Sequence, residues 1–190
     1  MPKPIVIRLV ARPKVWEKER TDKGSLCAKK IRREIERLSS FKLRPVGISV
    51  EGGYIPDLNI PSEQLDYEVV YNGKRIAVID PTCSNYTFEG SKIMPVAFYK
   101  GEIIKNSDVP TFMVYSMEEE TQPLADRCVW INGKDVIKCP HKTEPLGGKL
   151  QHNYKTFQYP CGRHLWHRGL QTLVDELLKI TERSKQGTLD

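Results

Sequence analysis

The sequence lacks an apolar run long enough to cross a bilayer. Over its 190 residues, no stretch approaches the roughly 18 consecutive apolar residues that a membrane-spanning helix needs. The apolar run at residues 5–10 is shorter than the central segment of a signal peptide, and no small-residue cleavage site follows it. We therefore expect a protein that does not bind membranes and that works inside the cell, in the cytoplasm.

Cysteine is scarce as well. The five cysteines are odd in number and irregular in spacing, so they do not form the framework of a small secreted domain held by disulfides. A chain of this length buries roughly 70% of its unfolded surface on folding. It can therefore build a core without disulfides or metals, and we expect one compact domain.

Charge is distributed unevenly along the chain, although the net charge is only +6. Residues 1–50 contain 14 Lys and Arg against 5 acids, residues 51–120 contain 5 against 12, and residues 121–190 contain 11 against 7. This suits a protein that binds a polyanion with one surface and gathers carboxylates at another. Lysines and arginines that only solvate helix faces would give the same segregation.

Hydrophobic periodicity predicts two amphipathic helices with strands between them. Ile31, Ile35 and Leu38 form one stripe of a helix of about four turns that begins near residue 24. Apolar residues spaced i, i+3, i+4 and i+7 predict a second helix over residues 169–183. Strand patterns lie at residues 5–10, 46–50, 66–71, 75–80, 95–99, 111–117, 127–131 and 135–138.

Two Asn-Gly pairs separate neighbouring strand patterns. Asn72-Gly73 and Asn132-Gly133 predict hairpin turns, because glycine accepts the positive φ that these turns need. The order of the elements predicts an α/β domain with a mixed central sheet flanked by helices.

The chain divides by composition into a core and an addition. We expect residues 1–138 to form the core, with a basic N-terminal segment. Residues 139–190 are expected to add an irregular segment with cysteines and histidines, and then the final helix, which packs on the core.

Acidic residues stand at both ends of an apolar hairpin. Asp66 begins its first strand and Asp80 ends its second, although acids are depleted in strands and an unpaired buried carboxylate is costly. Glu34 lies along the edge of the apolar stripe of the first helix. If these carboxylates converge, they make an oxygen-rich site for Mg²⁺ or Mn²⁺, which activates water and neutralises a phosphodiester under attack. The alternatives are solubilising acids at strand ends and, for Glu34, a salt bridge to a nearby arginine.

This arrangement resembles the PD-(D/E)XK nuclease superfamily: a helix with a glutamate, a strand that begins with Asp, a short turn, and an apolar strand that ends in an acid. The archaeal Holliday-junction resolvases are the nearest branch. The small size and basic character are also similar to nuclease-like proteins of spindle-shaped viruses of hyperthermophilic archaea. The resemblance covers about residues 24–117. It implies a restriction-endonuclease-like fold and, for a viral protein, a location in the host cell cytoplasm.

The resemblance also implies the reaction and its residues. By position, Asp66, Asp80 and Glu34 would be the metal ligands and catalytic residues of a Mg²⁺- or Mn²⁺-dependent DNA endonuclease that acts on branched DNA as a homodimer. Positive residues of the first helix would bind backbone phosphates. These are Lys29, Lys30, Arg32, Arg33 and Arg37.

One catalytic position departs from the superfamily pattern. Two residues after Asp80, where the superfamily has lysine, this sequence has Thr82, which can hydrogen-bond water or phosphate but carries no charge. Lys92 or Lys100 would have to reach the site from another element. The main alternative is therefore a DNA-binding protein that keeps the nuclease fold with weakened catalysis. An interaction domain without nucleic-acid contact is the other.

The geometry of the hairpin decides whether the two aspartates can meet. In a strict two-residue turn at Asn72-Gly73, Asp66 would share a face with Ile79, and Asp80 would point to the other side. A bulge, or a three-residue loop with Gly73 in the left-handed conformation, changes this parity. We predict one of these two irregularities, because the site needs its acids on one face.

The segment after residue 138 brings cysteines and histidines into a region without clean periodicity. A tetrahedral zinc site is one interpretation, with Cys139, His141, Cys161 and His164 as ligands. A disulfide between two of Cys128, Cys139 and Cys161 is another. The default is that these thiols are reduced and partly buried. A nucleophilic role for Cys83 is disfavoured, because no local signature supplies the general base that it needs.

Overall fold

The computed structural model describes residues 15–46, 65–84, 86–118, 121–140 and 158–186. These residues form an α/β fold in which a mixed six-stranded sheet has helices on both faces. The strands are β1 (Lys42–Pro45), β2 (Tyr67–Tyr71), β3 (Lys74–Cys83), β4 (Ile93–Ala97), β5 (Thr111–Ser116), β6 (Cys128–Asn132), β7 (Gln158–Gly162) and β8 (His167–Arg168). The helices are α1 (Val15–Leu38), α2 (Phe98–Lys105), α3 (Leu124–Arg127), α4 (Gly133–Val136) and α5 (Leu170–Gln186), with a 3-10 turn at Arg163–Leu165.

The strands of the central sheet run in the order β1-β2-β3-β5-β6-β8. β1, β2 and β3 form an antiparallel meander, whereas β3 and β5 are parallel neighbours. A parallel pair needs a crossover connection, and here the crossover contains β4 and α2. β4 pairs with β7 in a separate two-stranded sheet. The expected mixed sheet flanked by helices is therefore confirmed.

Each face of the central sheet has its own core. On one, the α1 face, Ile31 and Ile35 of α1 and leucines of α5 pack with Ala77 and Ile79 of β3. On the other, the α2 face, Val78 packs with side chains from α2, α4, β4 and β7. Successive strand residues alternate between the two faces. Even-numbered residues of β3 from Val78 onward therefore belong to the α2 face.

The two predicted helices are present with altered bounds. α1 begins at Val15, well before the predicted start near residue 24, and α5 covers the predicted final helix. The strand predicted at residues 95–99 ends at Ala97, because α2 begins at Phe98. The strand predicted at residues 5–10 and most of that at 46–50 lie outside the described residues.

The predictions of a hairpin at Asn132-Gly133 and of a strand after it are wrong, because a short helix forms there. α4 begins at Gly133, and the Asn132 side chain caps it by accepting a hydrogen bond from the Lys134 backbone N–H. Gly133 does not have a positive φ. A Cβ at this position would overlap the Thr111 hydroxyl and approach Ile104. The glycine is needed here for close packing rather than for a turn.

Two strands lie in the segment that showed no periodicity. β7 and β8 follow residue 157 and pair with β4 and β6. Because these pairings join residues far apart in the sequence, local pattern does not reveal them. The C-terminal segment therefore belongs to both sheets rather than standing beside the core.

One disulfide joins Cys27 of α1 to Cys83 of β3. Cys128, Cys139 and Cys161 are buried free thiols, so the default expectation for these three is confirmed and the alternative of a disulfide among them is wrong. The helix and the strand are in direct contact through the α1-face core, which brings together two cysteines that sequence spacing does not pair.

Within the described residues, no helix combines the length and the apolar character that spanning a membrane requires.

Candidate functional site

The β2–β3 hairpin decides which side chains of its two strands share a face. Its two-residue turn at Asn72-Gly73 has φ values of 49° and 75°, as a primed hairpin turn requires. The register then shifts, so that Val70 pairs with Arg75 but Val69 pairs with Ala77. This β-bulge confirms one of the two predicted irregularities, and the three-residue loop is not formed.

The bulge brings the two aspartates together. Past the bulge, Glu68 lies opposite Val78. Two residues further along the same pairing, Asp66 lies opposite Asp80 on the α2 face. Asp66 stands one position before β2, and Asp80 is buried inside β3 with only 3% of the residue exposed.

Asp80 is paired with a lysine from the crossover. Lys100 Nζ of α2 lies 2.6 Å from Asp80 Oδ2 and donates to Thr82 Oγ1 at 3.4 Å. The ion pair is nearly removed from solvent, because the Lys100 side chain is 14% exposed and that of Asp80 is 4% exposed. A buried carboxylate needs such a partner. Lys100 thus brings to this place the positive charge that Thr82 cannot supply.

Asp66 adds a second carboxyl group with altered ionisation. Burial is the main cause that raises the pKa of Asp66 to about 8. The negative charge of Asp80 adds to this rise, and the positive charge of Lys100 opposes it. The Asp66 and Asp80 carboxyl groups also hydrogen-bond to each other. Two adjacent carboxylates cannot both ionise without a compensating cation. Near neutral pH, the carboxyl group of Asp66 therefore keeps its proton.

Glu68 lies on the same face, but arginines already occupy its carboxylate. It forms ion pairs with Arg44 and with Arg75, whose Nη1 lies 3.4 Å from Glu68 Oε1. Arg75 also pairs with Asp108. This network of two arginines and two acids borders the site and balances its own charge.

Glu34 does not join the site, which corrects its predicted role as a metal ligand and catalytic residue. α1 covers the α1 face of the sheet, whereas the aspartates lie on the α2 face, so the sheet separates them. Glu34 accepts hydrogen bonds from Arg37 Nη2 at 2.6 Å and from Nε at 3.1 Å. These bonds lower the pKa of Glu34. The alternative of a salt bridge to a nearby arginine is therefore the observed one.

The predicted DNA-binding residues lie on the same far side of the sheet. Lys30 and Arg33 are exposed, and Arg32 Nη1 is 3.9 Å from Glu36 Oε2. The whole predicted set belongs to α1: Lys29, Lys30, Arg32, Arg33 and Arg37. These residues give α1 a positive outer surface, but the structure does not bring that surface beside the carboxylates.

The described residues do not assemble the predicted zinc ligands. Cys139 and Cys161 adjoin in the α2-face core, where burial raises the pKa of the Cys161 thiol and the two side chains hydrogen-bond. His164 is exposed, and His141 lies outside the described residues. Among the described residues, no three His, Cys, Asp or Glu side chains form a metal-holding group. His164 is therefore not a fellow ligand of the two cysteines.

The donors at the aspartate pair still fit a hard cation. Mg²⁺ is commonly held by one or two carboxylates, with waters and substrate phosphates completing its shell. Asp66 and Asp80 supply two carboxylates on one face of the sheet. Burial and repulsion from Asp80 raise the pKa of Asp66, and a further positive charge would relieve that repulsion. These residues fit magnesium or manganese bound together with a phosphate.

Lys100 is the charged residue of this site that the motif itself does not reveal. Lys92 and Lys100 are both lysines that follow β3 in the sequence, but the residues around them differ. Lys100 stands in an apolar stretch, residues 93–104, and a lysine in such a stretch is buried only when it is paired. Lys92 is exposed. Sequence context therefore favours Lys100 once burial is considered.

Comparisons of this chain with protein-family models, with curated proteins and with solved structures found no significant match.

Proposed function

We propose that this protein is a metal-dependent DNA endonuclease of the PD-(D/E)XK type, in which α2 supplies the lysine. The observation that carries the proposal is the convergence of Asp66, Asp80, Thr82 and Lys100 on one face of the sheet. Two acids from a hairpin and a lysine beside the second acid give the charge pattern that the superfamily resemblance leads us to expect. A restriction-endonuclease-like arrangement of the fold is part of the proposal.

In this proposal, Asp66 and Asp80 hold Mg²⁺ or Mn²⁺. Such an ion, when bound, stabilises charge on a phosphate and lowers the pKa of a coordinated water. Asp66 would bind such an ion only in its ionised form, so it would have to lose the proton that it carries near neutral pH.

Lys100 and Thr82 act on the phosphate. The Lys100 ammonium stabilises negative charge that develops on a phosphate oxygen, and the Thr82 hydroxyl donates a hydrogen bond to the same group. Water forms a bond to phosphorus and gives up a proton to solvent, the P–O bond to the leaving oxygen breaks, and that oxygen takes up a proton from solvent. Because Lys100 and Asp80 are nearly buried, their charges act in a medium of low dielectric constant.

The second candidate is a DNA-binding protein with weakened catalysis. The absence of a lysine two residues after Asp80 motivates it, but the Lys100 ammonium, 3.4 Å from the Thr82 hydroxyl, weakens this reason. One observation still favours it: the positive surface of α1 lies on the α1 face, away from the carboxylates. Duplex DNA bound on α1 would not present its backbone to Lys100.

The proposal also includes DNA as the partner, a homodimeric state and a location inside the cell. A homodimer suits junction DNA, because the junction presents two symmetric strands to cut. The apolar stripe of α5 is not available as the dimer surface, since Leu170, Leu173 and Leu177 are fully buried in the α1-face core.

The test is cleavage of four-way junction, flap and linear duplex DNA with Mn²⁺. We expect wild type to cut, and Asp80→Asn to cut at least about a hundredfold more slowly, because removing one preorganised charge from an active site costs that much. Asp175→Asn, an exposed acid of α5, is the matched control and should cut like wild type. Undiminished cutting by Asp80→Asn overturns the assignment. Binding of all three DNAs without cutting favours the second candidate.

A further inference from the structure

Two arginines of the C-terminal segment meet over one phenylalanine ring. The Cζ atoms of Arg163 and Arg168 each lie 5.6 Å from the centroid of Phe88. Both also face Glu89: Arg163 Nη1 is 3.0 Å from Glu89 Oε2, and Arg168 Nη1 is 3.7 Å from Glu89 Oε1. Two guanidinium groups thus share one carboxylate, so the group as a whole keeps a positive charge.

This group lies on the same face of the sheet as the aspartates. Thr82 pairs with Tyr115, Tyr115 with Val129, and Val129 with Arg168. These four residues form one row across four neighbouring strands. Phe88 packs against the α2-face core, which puts the arginines on that side. Three strand spacings separate Thr82 from Arg168, a distance of about 14 Å between backbones.

The arginines are held in place by groups other than the Glu89 carboxylate. Arg163 Nη1 donates to the Glu89 carbonyl oxygen at 3.0 Å. Arg168 donates to the Gln122 side chain at 2.5 Å and to the Asp126 carbonyl oxygen at 3.2 Å. Guanidinium groups fixed in this way lose little freedom when they bind a planar or tetrahedral anion.

The Glu89 carboxylate is the replaceable member of the group. Its side chain is 69% exposed, whereas those of Arg163 and Arg168 are 42% and 32% exposed. Exposed ion pairs contribute little stability, so displacing this carboxylate is inexpensive. A phosphate offers the same two guanidinium groups more acceptor oxygens.

We propose that Arg163 and Arg168 form a clamp for a backbone phosphate of the nucleic-acid strand, and that Glu89 occupies the clamp until the strand binds. The inference rests on the proposed nuclease function and names the surface that guides the strand into it. A strand held here continues along the α2 face toward Thr82 and Lys100. A strand bound to α1 would lie on the other face of the sheet and would not reach these residues. Glu89 is a built-in competitor for the clamp.

The experiment measures binding of a short fluorescent single strand and of its duplex, in EDTA and at several salt concentrations. Arg163→Gln should weaken binding about fivefold, as the loss of roughly 1 kcal/mol does, and should lower the slope of log affinity against log salt by about 1. Glu89→Gln should act in the opposite direction and tighten binding. Opposite effects separate a clamp from a general loss of folding.

Matched controls on α5 carry the same changes of charge. Lys179→Gln and Glu182→Gln alter exposed residues of α5, on the other face of the sheet. The proposal is overturned if Arg163→Gln binds no more weakly than Lys179→Gln, or if Glu89→Gln binds no more tightly than Glu182→Gln.

Cleavage with Mn²⁺ is measured in parallel on the same variants. If the clamp variants shift binding but no protein cuts DNA, the clamp stands and the proposed nuclease function fails. If wild type cuts in an Asp80-dependent way while the clamp variants bind like their controls, the nuclease function stands and the clamp fails.

Discussion

Asp66 couples the protonation of one carboxyl group to the stability of the fold. Its pKa rises to about 8 because burial, together with the charge of Asp80, disfavours the ionised form. Below about pH 4 the folded and unfolded chains both hold this proton. Between about pH 4 and 8 the folded chain keeps it and the unfolded chain releases it, so stability falls as the pH rises. Above about pH 8 the loss is complete.

Replacing Asp66 by asparagine should remove this pH dependence. An asparagine amide can donate to Asp80 without carrying a charge. Relative to wild type, Asp66→Asn should therefore gain thermal stability as the pH rises from about 5 to 8, by at least about 3 °C in Tm for a chain of this size. Thermal unfolding across this pH range measures the difference. A constant Tm difference between the two proteins would contradict the account of Asp66.

Lys100 and Asp80 show why the charge of the site cannot be judged from the residues of one strand. β3 has Thr82 where a second charged group was expected, yet the crossover returns a lysine to within 3.4 Å of that hydroxyl. A buried pair of this kind is specific, because either partner alone would be a buried unpaired charge. The pair is a constraint on how α2 is placed over the sheet as well as a candidate catalytic feature.

At the scale of elements, the Cys27–Cys83 disulfide fixes the middle of α1 to the sheet. Cys27 is buried, while Lys23 and Leu26 before it are exposed. The bond therefore holds α1 at the first buried residue among its described side chains. Its loop spans a sequence separation of 56 residues, and a bond that closes such a loop stabilises a domain by about 2–4 kcal/mol.

Reduction should lower the stability of the protein accordingly. We expect dithiothreitol to lower Tm by about 5–10 °C, since 1 kcal/mol corresponds to 2–4 °C at this size. The double variant Cys27→Ser, Cys83→Ser should melt at the reduced temperature with or without the reductant. Alkylation of the denatured, unreduced protein should label three of the five cysteines. Labelling of all five would show that the bond is not formed.

How much of each element could be predicted depended on how local its causes are. The periods of α1 and α5 reflect burial of one helical stripe, and the hairpin parity followed from period two and the need to bring Asp66 to Asp80. The two short strands β7 and β8 are fixed by partners distant in sequence. α4 was missed because Asn132-Gly133 has the composition of a turn, while packing against Thr111 decided its use.

At the scale of the whole molecule, the sheet separates two surfaces that the sequence could not tell apart. A helical wheel shows that Glu34 points toward the sheet, but it does not show which face the helix covers. α1 covers the face opposite the aspartates, so Glu34 pairs with Arg37 instead. Only the order and hand of the connections decide this, and they are properties of the complete chain.

The same separation locates the positive charge that matters for the proposed reaction. Lys30, Arg33 and Arg37 of α1 are exposed on one side of the sheet. On the other side, Arg168 lies in the strand row of Thr82, and Arg163 contacts the same phenylalanine ring as Arg168. The uneven charge lies in the sequence itself, but among the described residues the positive side chains of α1 do not lie beside the carboxylates.

The most direct measurement moves the lysine from the helix to the strand. Lys100→Met should lower the rate of DNA cleavage in Mn²⁺ by about a hundredfold or more, and adding Thr82→Lys to that variant should recover a measurable part of it, because the ammonium returns to the side of Asp80. Cleavage by Lys100→Met at the wild-type rate would contradict the claim that Asp66, Asp80 and Lys100 form one catalytic centre.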